Sequence, residues 1–264
     1  MQDNRSVPRW KTLQPVPAGT YALAVMAKAP RRGDVKTRLV PPLYEEEAAL
    51  LSICFLRDVA SNIARLCDAD VHGFAAYTPQ GEESAFENVL PDGFRLLLQR
   101  GADLGERLFH ASEDFLSAGY QGICLINSDS PTLPTATLEE AIEVLRAPPD
   151  CVVLGRAEDG GYYLIGLKRA HQRLFQDITW STKHVFAQTL ERVAEIGLEP
   201  HLLPGWYDVD NGSSLHRLCR ELIADDGRVQ GYSAPCTRKY LQRLIASGAG
   251  GRLGFETTRP ESVV

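Results

Sequence analysis

Five basic side chains, Lys28, Arg31, Arg32, Lys36 and Arg38, crowd into eleven positions of a chain that is otherwise acidic. Such a local excess asks for an anionic partner. Lysine offers phosphate a point charge and arginine a two-pronged donor, and Gly33 gives the backbone a tight path between them. A solvated basic loop is the plainer alternative. The spacing fits neither G-x-x-x-x-G-K-[ST] nor G-x-G-x-x-G, so the phosphate loops of those motifs are not encoded here.

Acids gather in three other stretches. Asp129, in ICLINSDSPTLP, follows a run so apolar that the chain must be leaving the core, which puts its carboxylate at the working edge of a sheet. Mg²⁺ is usually held by one or two carboxylates plus substrate phosphate, although a turn cap ahead of Pro131 also suits this aspartate. In HLLPGWYDVDNG, an extended backbone would turn Asp208 and Asp210 to one side, where a shared cation relieves their repulsion. Asp210 is alternatively the N-cap of a helix from Ser213 onward. In AEDGGYYLIGL, Glu158 and Asp159 precede Gly160 and Gly161, a pair that reads as a hairpin turn. Asp103 and Arg107 in GADLGERL stand near a helix start, where they could meet an anion or a ribose hydroxyl. A helix cap explains Asp103 equally well. Among the histidines only His184 lies near one of these stretches, and no Ser-His-Asp order or Cys-His pair emerges.

Positioning these groups requires a sheet with loops at one edge. Tyr21–Ala27 (YALAVMA) is a continuous apolar run, as in a strand covered on both faces. Residues 45–66 carry Ala49, Ile53, Leu56, Ala60, Ile63 and Leu66 at helical spacing, with Glu46, Arg57, Asn62 and Arg65 left for water. Strands are expected at 71–77, 94–98, 122–127, 151–154 and 162–167. Helices are expected from Asp103, from Pro134-Thr135 toward Leu145, and from an N-cap at Ser181 to Ile196. A last strand and helix flank Asp208-Val209-Asp210. Alternation of this kind predicts an α/β sandwich on a mostly parallel sheet, which places ligands at the carboxyl ends of strands.

The chain divides into a disordered tail over residues 1–19, one transferase-sized domain over 20–224, and an extension over 225–264 with one short helix near 237–246 and a loose Gly-rich end from Gly248. Its 264 residues carry 28 Lys plus Arg against 34 Asp plus Glu, and the net charge of −6 speaks against a nucleic-acid binder. No apolar run reaches the roughly 20 residues of a membrane span, and the N-terminus lacks a signal-peptide core, so a cytoplasmic protein is expected. Six cysteines form no C-x-x-C pair and read as reduced thiols, without a disulfide frame or a zinc knuckle.

Taken in order, MAKAPRRGDVKTRL, GADLGERL, INSDSPTLP, EDGGYYLIGL, WST and WYDVD resemble the DUF2064 family of GT-A-type, glycosyltransferase-like proteins over about 21–222. More distantly the chain is similar to 2-phospholactate guanylyltransferases and molybdenum-cofactor nucleotidyltransferases. The resemblance implies a GT-A, nucleotide-diphospho-sugar transferase fold. By it Lys28, Lys36 and Arg38 would contact phosphates, and Asp129 with Asp208 or Asp210 would hold Mg²⁺ or Mn²⁺. Asn127 departs from the pattern, standing where relatives commonly have Gly in a G-[ST]-D-[ST]-P string.

Three activities are compatible with these residues. The first is glycosyl transfer from a nucleotide-diphosphate sugar to a small acceptor, with Asp159 as general base, Glu158 second, and Lys36 as the other catalytic group. The second is nucleotidyl transfer, in which a phosphate-bearing acceptor attacks the α-phosphorus of an NTP and pyrophosphate leaves toward Lys28, Lys36 and Arg38. No base is needed there. The third is a nucleotide-binding module without turnover.

Overall fold

The computed structural model describes residues 13–223 and 229–255. Among these residues seven strands, β1 (Tyr21–Lys28), β2 (Val71–Thr78), β3 (Arg95–Leu98), β4 (Gly122–Ile126), β5 (Cys151–Ala157), β6 (Tyr162–Leu167) and β7 (Glu199–Trp206), form one sheet in the order β3-β2-β1-β4-β6-β5-β7. Every strand but β6 runs the same way, since β6 is antiparallel to both β4 and β5 while the other pairs are parallel. The mostly parallel sheet expected from the alternating pattern is what forms. Residues 162–167 had been open to pairing or crossing over; they pair, as the return strand of a hairpin with β5.

Among the described residues there are six α-helices: α1 (Glu45–Ala64), α2 (Leu104–Ser117), α3 (Thr135–Arg146), α4 (Val185–Glu195), α5 (Gly212–Ile223) and α6 (Pro235–Leu244). Both faces of β1 are covered, which is why its residues are apolar without alternation. Leu23 and Val25 join Leu56, Val59 and Ile63 of α1 and Leu138 and Ile142 of α3, whereas Ala22 and Ala24 join Phe115 of α2 and Val193 of α4. A third cluster lies beyond α1. There Leu51 and Phe55 pack with Leu215 and Leu218 of α5 and Leu241 and Leu244 of α6.

Helix α1 is therefore buried on two faces, which overturns part of the expected polar stripe. Asn62, assigned to water, is only 2% exposed. Its side chain donates to the Leu133 carbonyl at 2.7 Å and accepts from the Thr135 hydroxyl at 2.6 Å, tying α1 to the start of α3. A buried amide satisfied at both ends costs little and fixes one geometry.

Two further expectations need correction. Ser181 is not an N-cap: its backbone is left-handed at φ 63°, and α4 starts only at Val185 after His184. The C-terminal stretch from Gly248 is not loose as far as Phe255. Ala249 and Leu253 are buried in the third cluster, and Arg252 forms an ion pair with Glu47 of α1 at 2.8 Å. Residues 256–264 lie outside the described residues, as do 1–12 of the expected N-terminal tail; in the rest of that tail Val16 donates its N–H to the Ala118 carbonyl at 3.1 Å.

Candidate active site

Four loops meet at the carboxyl edge of the sheet, after β1, β4, β5 and β7. Main-chain bonds lock three of them together. Glu158 donates its N–H to the Trp206 carbonyl at 3.0 Å, which brings the β5 turn beside the β7 end, and Val209 donates to the Asp129 carbonyl at 2.8 Å, which brings the β4 loop to the same place. The Asx turn before Asp129 is made by Asn127, whose Oδ1 accepts the Asp129 N–H at 3.2 Å. The residue that departs from the family pattern thus shapes the loop with its side chain.

Lys36 stands at the centre. Its Nζ donates to the Val209 carbonyl at 2.7 Å, to Asp129 Oδ1 at 2.8 Å and to Asp210 Oδ1 at 2.9 Å, and the side chain is 6% exposed. An ammonium has three donors. All three are engaged, so a phosphate could reach Lys36 only by displacing a carboxylate or a carbonyl. Burial alone would lower the Lys36 pKa, but Asp129 and Asp210 carry it above the ordinary lysine value, so the group stays charged. Its backbone is left-handed (φ 50°, ψ 34°), a conformation costing a non-glycine residue roughly 1 kcal/mol, as strained residues at functional sites do. The Phe55 ring lies 5.4 Å below the ammonium.

The other bases divide into two kinds. Arg31 is paired with Glu82, and Arg32 with Glu45 and Glu46. Lys28 donates only to the Asp34 carbonyl, at 3.0 Å, and Arg38 has no hydrogen bond or ion pair among the described residues. Lys28, Lys36 and Arg38 line one cleft of about 270 Å³ together with Ser128, Asp129 and Asp210, and Ser52 and Leu56 of α1 form part of its wall. The basic loop and two of the expected acids do share a cavity.

Behind the cleft the carboxylates of Asp159, Asp208 and Asp210 offer oxygens that all lie within 4.8 Å of one another. The expected set was Asp129, Asp208 and Asp210. Asp159 joins Asp208 and Asp210 in this group, while Asp129 and Asp210 are both paired with Lys36. Burial, and then the charges of Asp159, Asp210 and Asp129, push the Asp208 pKa up to about 7. A group of acids that repels its own ionisation is one that a divalent cation with oxygen preference would neutralise. Asp210 belongs both to this group and to the cleft.

The remaining candidates are placed elsewhere or held by neighbours. Asp103 is the N-cap of α2, its Oδ1 accepting the Glu106 N–H at 2.9 Å, and Arg107 Nε donates to the Gly101 carbonyl at 3.2 Å. Neither lines the cleft, and Asp103 borders a separate cavity between α2 and the turn at 172–175. Glu158 is paired with Arg217 of α5 at 2.7 Å, and that guanidinium lies 3.9 Å from the Tyr207 ring centre. Asp210 caps nothing: Asn211 Oδ1 accepts the N–H groups of Ser213 and Ser214 at 3.0 Å and starts α5. His184 is exposed at the start of α4. The roles of Asn127, Phe55 and Arg217 were missed. Of these only Asn127 carried a sequence signal, as Asn two residues before a turn aspartate.

The Asp159 turn is braced from outside. Gly160 has φ 94°, and a Cβ there would meet the Lys183 carbonyl oxygen at 2.3 Å, while its own carbonyl accepts the Phe186 N–H at 2.9 Å. The segment from Lys183 to Phe186, which follows Trp180-Ser181-Thr182, is thereby docked onto the turn. Gly160→Ala is expected to destabilise the fold by about 2 kcal/mol, combining positive φ with displaced backbone, a Tm fall of roughly 4–8 °C. Calorimetry checks this; an unchanged Tm would mean that the turn is not held by this contact.

The sequence model of the family described as "Uncharacterized protein conserved in bacteria (DUF2064)" matches residues 63–182. A solved structure from Desulfovibrio desulfuricans G20, named as a candidate nucleotide-diphospho-sugar transferase, is 30% identical at a TM-score of 0.74, covering 87% of this chain and 96% of that one. A CMP:2-keto-3-deoxy-manno-octonic acid synthetase complexed with CTP gives 14% identity and a TM-score of 0.49, with 78% and 99% covered. Glucosyl-3-phosphoglycerate synthase from Mycobacterium tuberculosis, in complex with Mn²⁺, UDP and glucosyl-3-phosphoglycerate, gives 11% and 0.45, with 90% and 81% covered. No curated protein matches in a sequence comparison.

Proposed function

The chain belongs to the DUF2064 family and has a GT-A-type fold, and from that premise we propose that it is a divalent-metal-dependent transferase using a nucleotide-diphosphate sugar as donor. The observation that carries this reading is the shared position of Asp210, between a cleft with two available cationic side chains and a cluster of three carboxylates. A pyrophosphate ester needs both. Lys28 and Arg38 would bind its phosphate oxygens, Arg38 as a fork and Lys28 as a point charge. Lys36 would act as a positioning residue that holds Asp129 and Asp210 at fixed distance and keeps the net charge of the acids low enough for an anionic donor to approach. Asp159, Asp208 and Asp210 would hold Mg²⁺ or Mn²⁺, which would stabilise negative charge on the departing diphosphate. The name of the Desulfovibrio structure points to the same donor class.

One observation favours a second reading. Asp159, expected as general base, belongs to the acid cluster, and Glu158 is held by Arg217. Neither is a free carboxylate for a neutral acceptor hydroxyl. Nucleotidyl transfer to an acceptor that is already an anion requires no such base, and pyrophosphate would depart toward Lys28 and Arg38.

Thermal-shift measurements with nucleotide sugars and NTPs, each with and without Mg²⁺, test both readings, joined to analysis of the product released. A donor at a hundred times its Kd stabilises by about 2.7 kcal/mol, a rise of roughly 5–10 °C. The expected result is a metal-dependent rise with nucleotide sugars and release of nucleoside diphosphate. Preference for NTPs with pyrophosphate release would establish the second reading. Shifts indifferent to metal, without product, would leave a nucleotide-binding module.

A further inference from the structure

Helix α6 begins directly against the middle of α1, and the junction holds a chemistry that the candidate active site does not use. Cys236 lies in the first turn of α6, partly exposed, and Cys54 lies on α1 at 8% exposure. Cys54 and Asp58 lie four residues apart on one face of α1, and the Asp58 carboxylate accepts the Cys236 N–H at 3.0 Å, so the two thiols are neighbours. Arg57, one turn after Cys54, places Nη1 3.9 Å from Cys236 Sγ, and its Nη2 is anchored on the Asn88 carbonyl at 2.6 Å. Cys236 therefore faces a thiol donor and a guanidinium at the amide end of a ten-residue helix, the surroundings in which thiolates are stabilised.

Burial and Asp58 work in the opposite direction. The Asp58 carboxylate, itself buried, accepts the N–H groups of Cys236 at 3.0 Å and Thr237 at 2.7 Å. The balance favours the charged form: chiefly through the Cys54 hydrogen bond, Cys236 comes down to about 7. The same bond and burial drive Cys54 upward, so it remains a protonated thiol. Burial also pushes Cys67 up to about 11, and Cys124, fully buried, is raised as well. One thiolate with a thiol touching it is the arrangement of a nucleophile and its resolving partner.

We propose that Cys236 and Cys54 form a two-cysteine oxidation site that reacts with hydroperoxides and closes a disulfide between α6 and α1. In the first step the Cys236 thiolate attacks the terminal peroxide oxygen. A sulfur–oxygen bond forms, the O–O bond breaks, and the alkoxide or hydroxide leaves as alcohol or water after taking a proton from solvent. Cys236 is oxidised by two electrons to a sulfenic acid and the peroxide is reduced. In the second step Cys54 attacks that sulfur; the S–S bond forms, and the hydroxyl departs as water with the Cys54 proton. Overall, two thiols and one hydroperoxide give one disulfide, one alcohol and one water. The linkage would tie the C-terminal segment to the part of α1 whose neighbouring residues, Ser52 and Leu56, wall the cleft.

The test uses the full chain. Iodoacetamide at pH 7.5 is expected to label Cys236 at least about tenfold faster than Cys67, because the thiolate is the nucleophile. After treatment with hydrogen peroxide, mass spectrometry of an unreduced digest is expected to show the Cys54 and Cys236 peptides joined, with Cys124 unmodified. In Cys54→Ser, Cys236 is expected to persist as a sulfenic acid that dimedone traps. Equal labelling of Cys236 and Cys67, or peroxide treatment of the wild-type chain that leaves these peptides unjoined, would overturn the proposal. Both decisive readings are made on the wild-type chain, so a poorly folding variant does not blunt them.

Discussion

Asp208→Asn is expected to abolish metal-dependent turnover while making the metal-free protein more stable. The two effects have one cause. Burial and three neighbouring aspartates raise the Asp208 pKa to about 7, far above a carboxylate in an unfolded chain, so the folded state binds a proton more tightly than the unfolded state. The sign follows: the folded state gains from this proton below the unfolded value, and that gain is lost as pH rises toward 7. Above 7 Asp208 is ionised inside the cluster, a charge that a cation would neutralise. Removing the charge removes the repulsion and also the ligand. Calorimetry of the wild-type chain without metal should show the Asp208 contribution weakening from pH 5 to pH 8, with saturating Mg²⁺ restoring stability at pH 8. The variant should lose both the slope and the response to Mg²⁺, and turnover should fall by two orders of magnitude or more. A variant that Mg²⁺ still stabilises as strongly as wild type would exclude Asp208 as a ligand.

Lys36→Met carries the opposite sign. Methionine keeps an apolar stem, but it loses the ammonium over the Phe55 ring and leaves Asp129, Asp210 and the Val209 carbonyl without their donor. Breaking a buried ion pair costs about 3–5 kcal/mol, and because Asp129 and Asp210 are 35% and 31% exposed, water screens part of that. A loss of roughly 2–3 kcal/mol is expected, a Tm fall of about 4–12 °C. Divalent cation should recover part of it, since the added charge replaces the missing ammonium. Equal Tm values for the two proteins would show that Lys36 holds nothing in place.

These two residues also mark how far the sequence could be read. That Lys36 and the aspartates would meet followed from their positions just past apolar strands, because strands of a parallel sheet end on one edge. The partner of each did not follow. Asp159 reaches Asp208 only because β5 pairs with β7, an adjacency set by the reversed strand β6 and not by distance along the chain. Lys36 read as a free cation because charge is visible in a sequence and prior pairing is not. Ser181 failed as an N-cap for a local reason: the chain there is braced on Gly160, and the helical turn cannot begin until Val185. Asn62 was assigned to water because one apolar face was counted on a helix that buries two.

The outermost position of β7 has a consequence for how the protein loses activity. An edge strand is bonded to the sheet on one side only, and in β7 Pro200 and Pro204 also reduce its main-chain donors, which blunts pairing with other chains. This same strand delivers Asp208 and Asp210. Fraying there needs far less energy than global unfolding, so two acids would disperse while most of the core kept its amide protection. Warming would then silence the enzyme before it melts, and recovery on cooling would be quick because only one strand must return to its place.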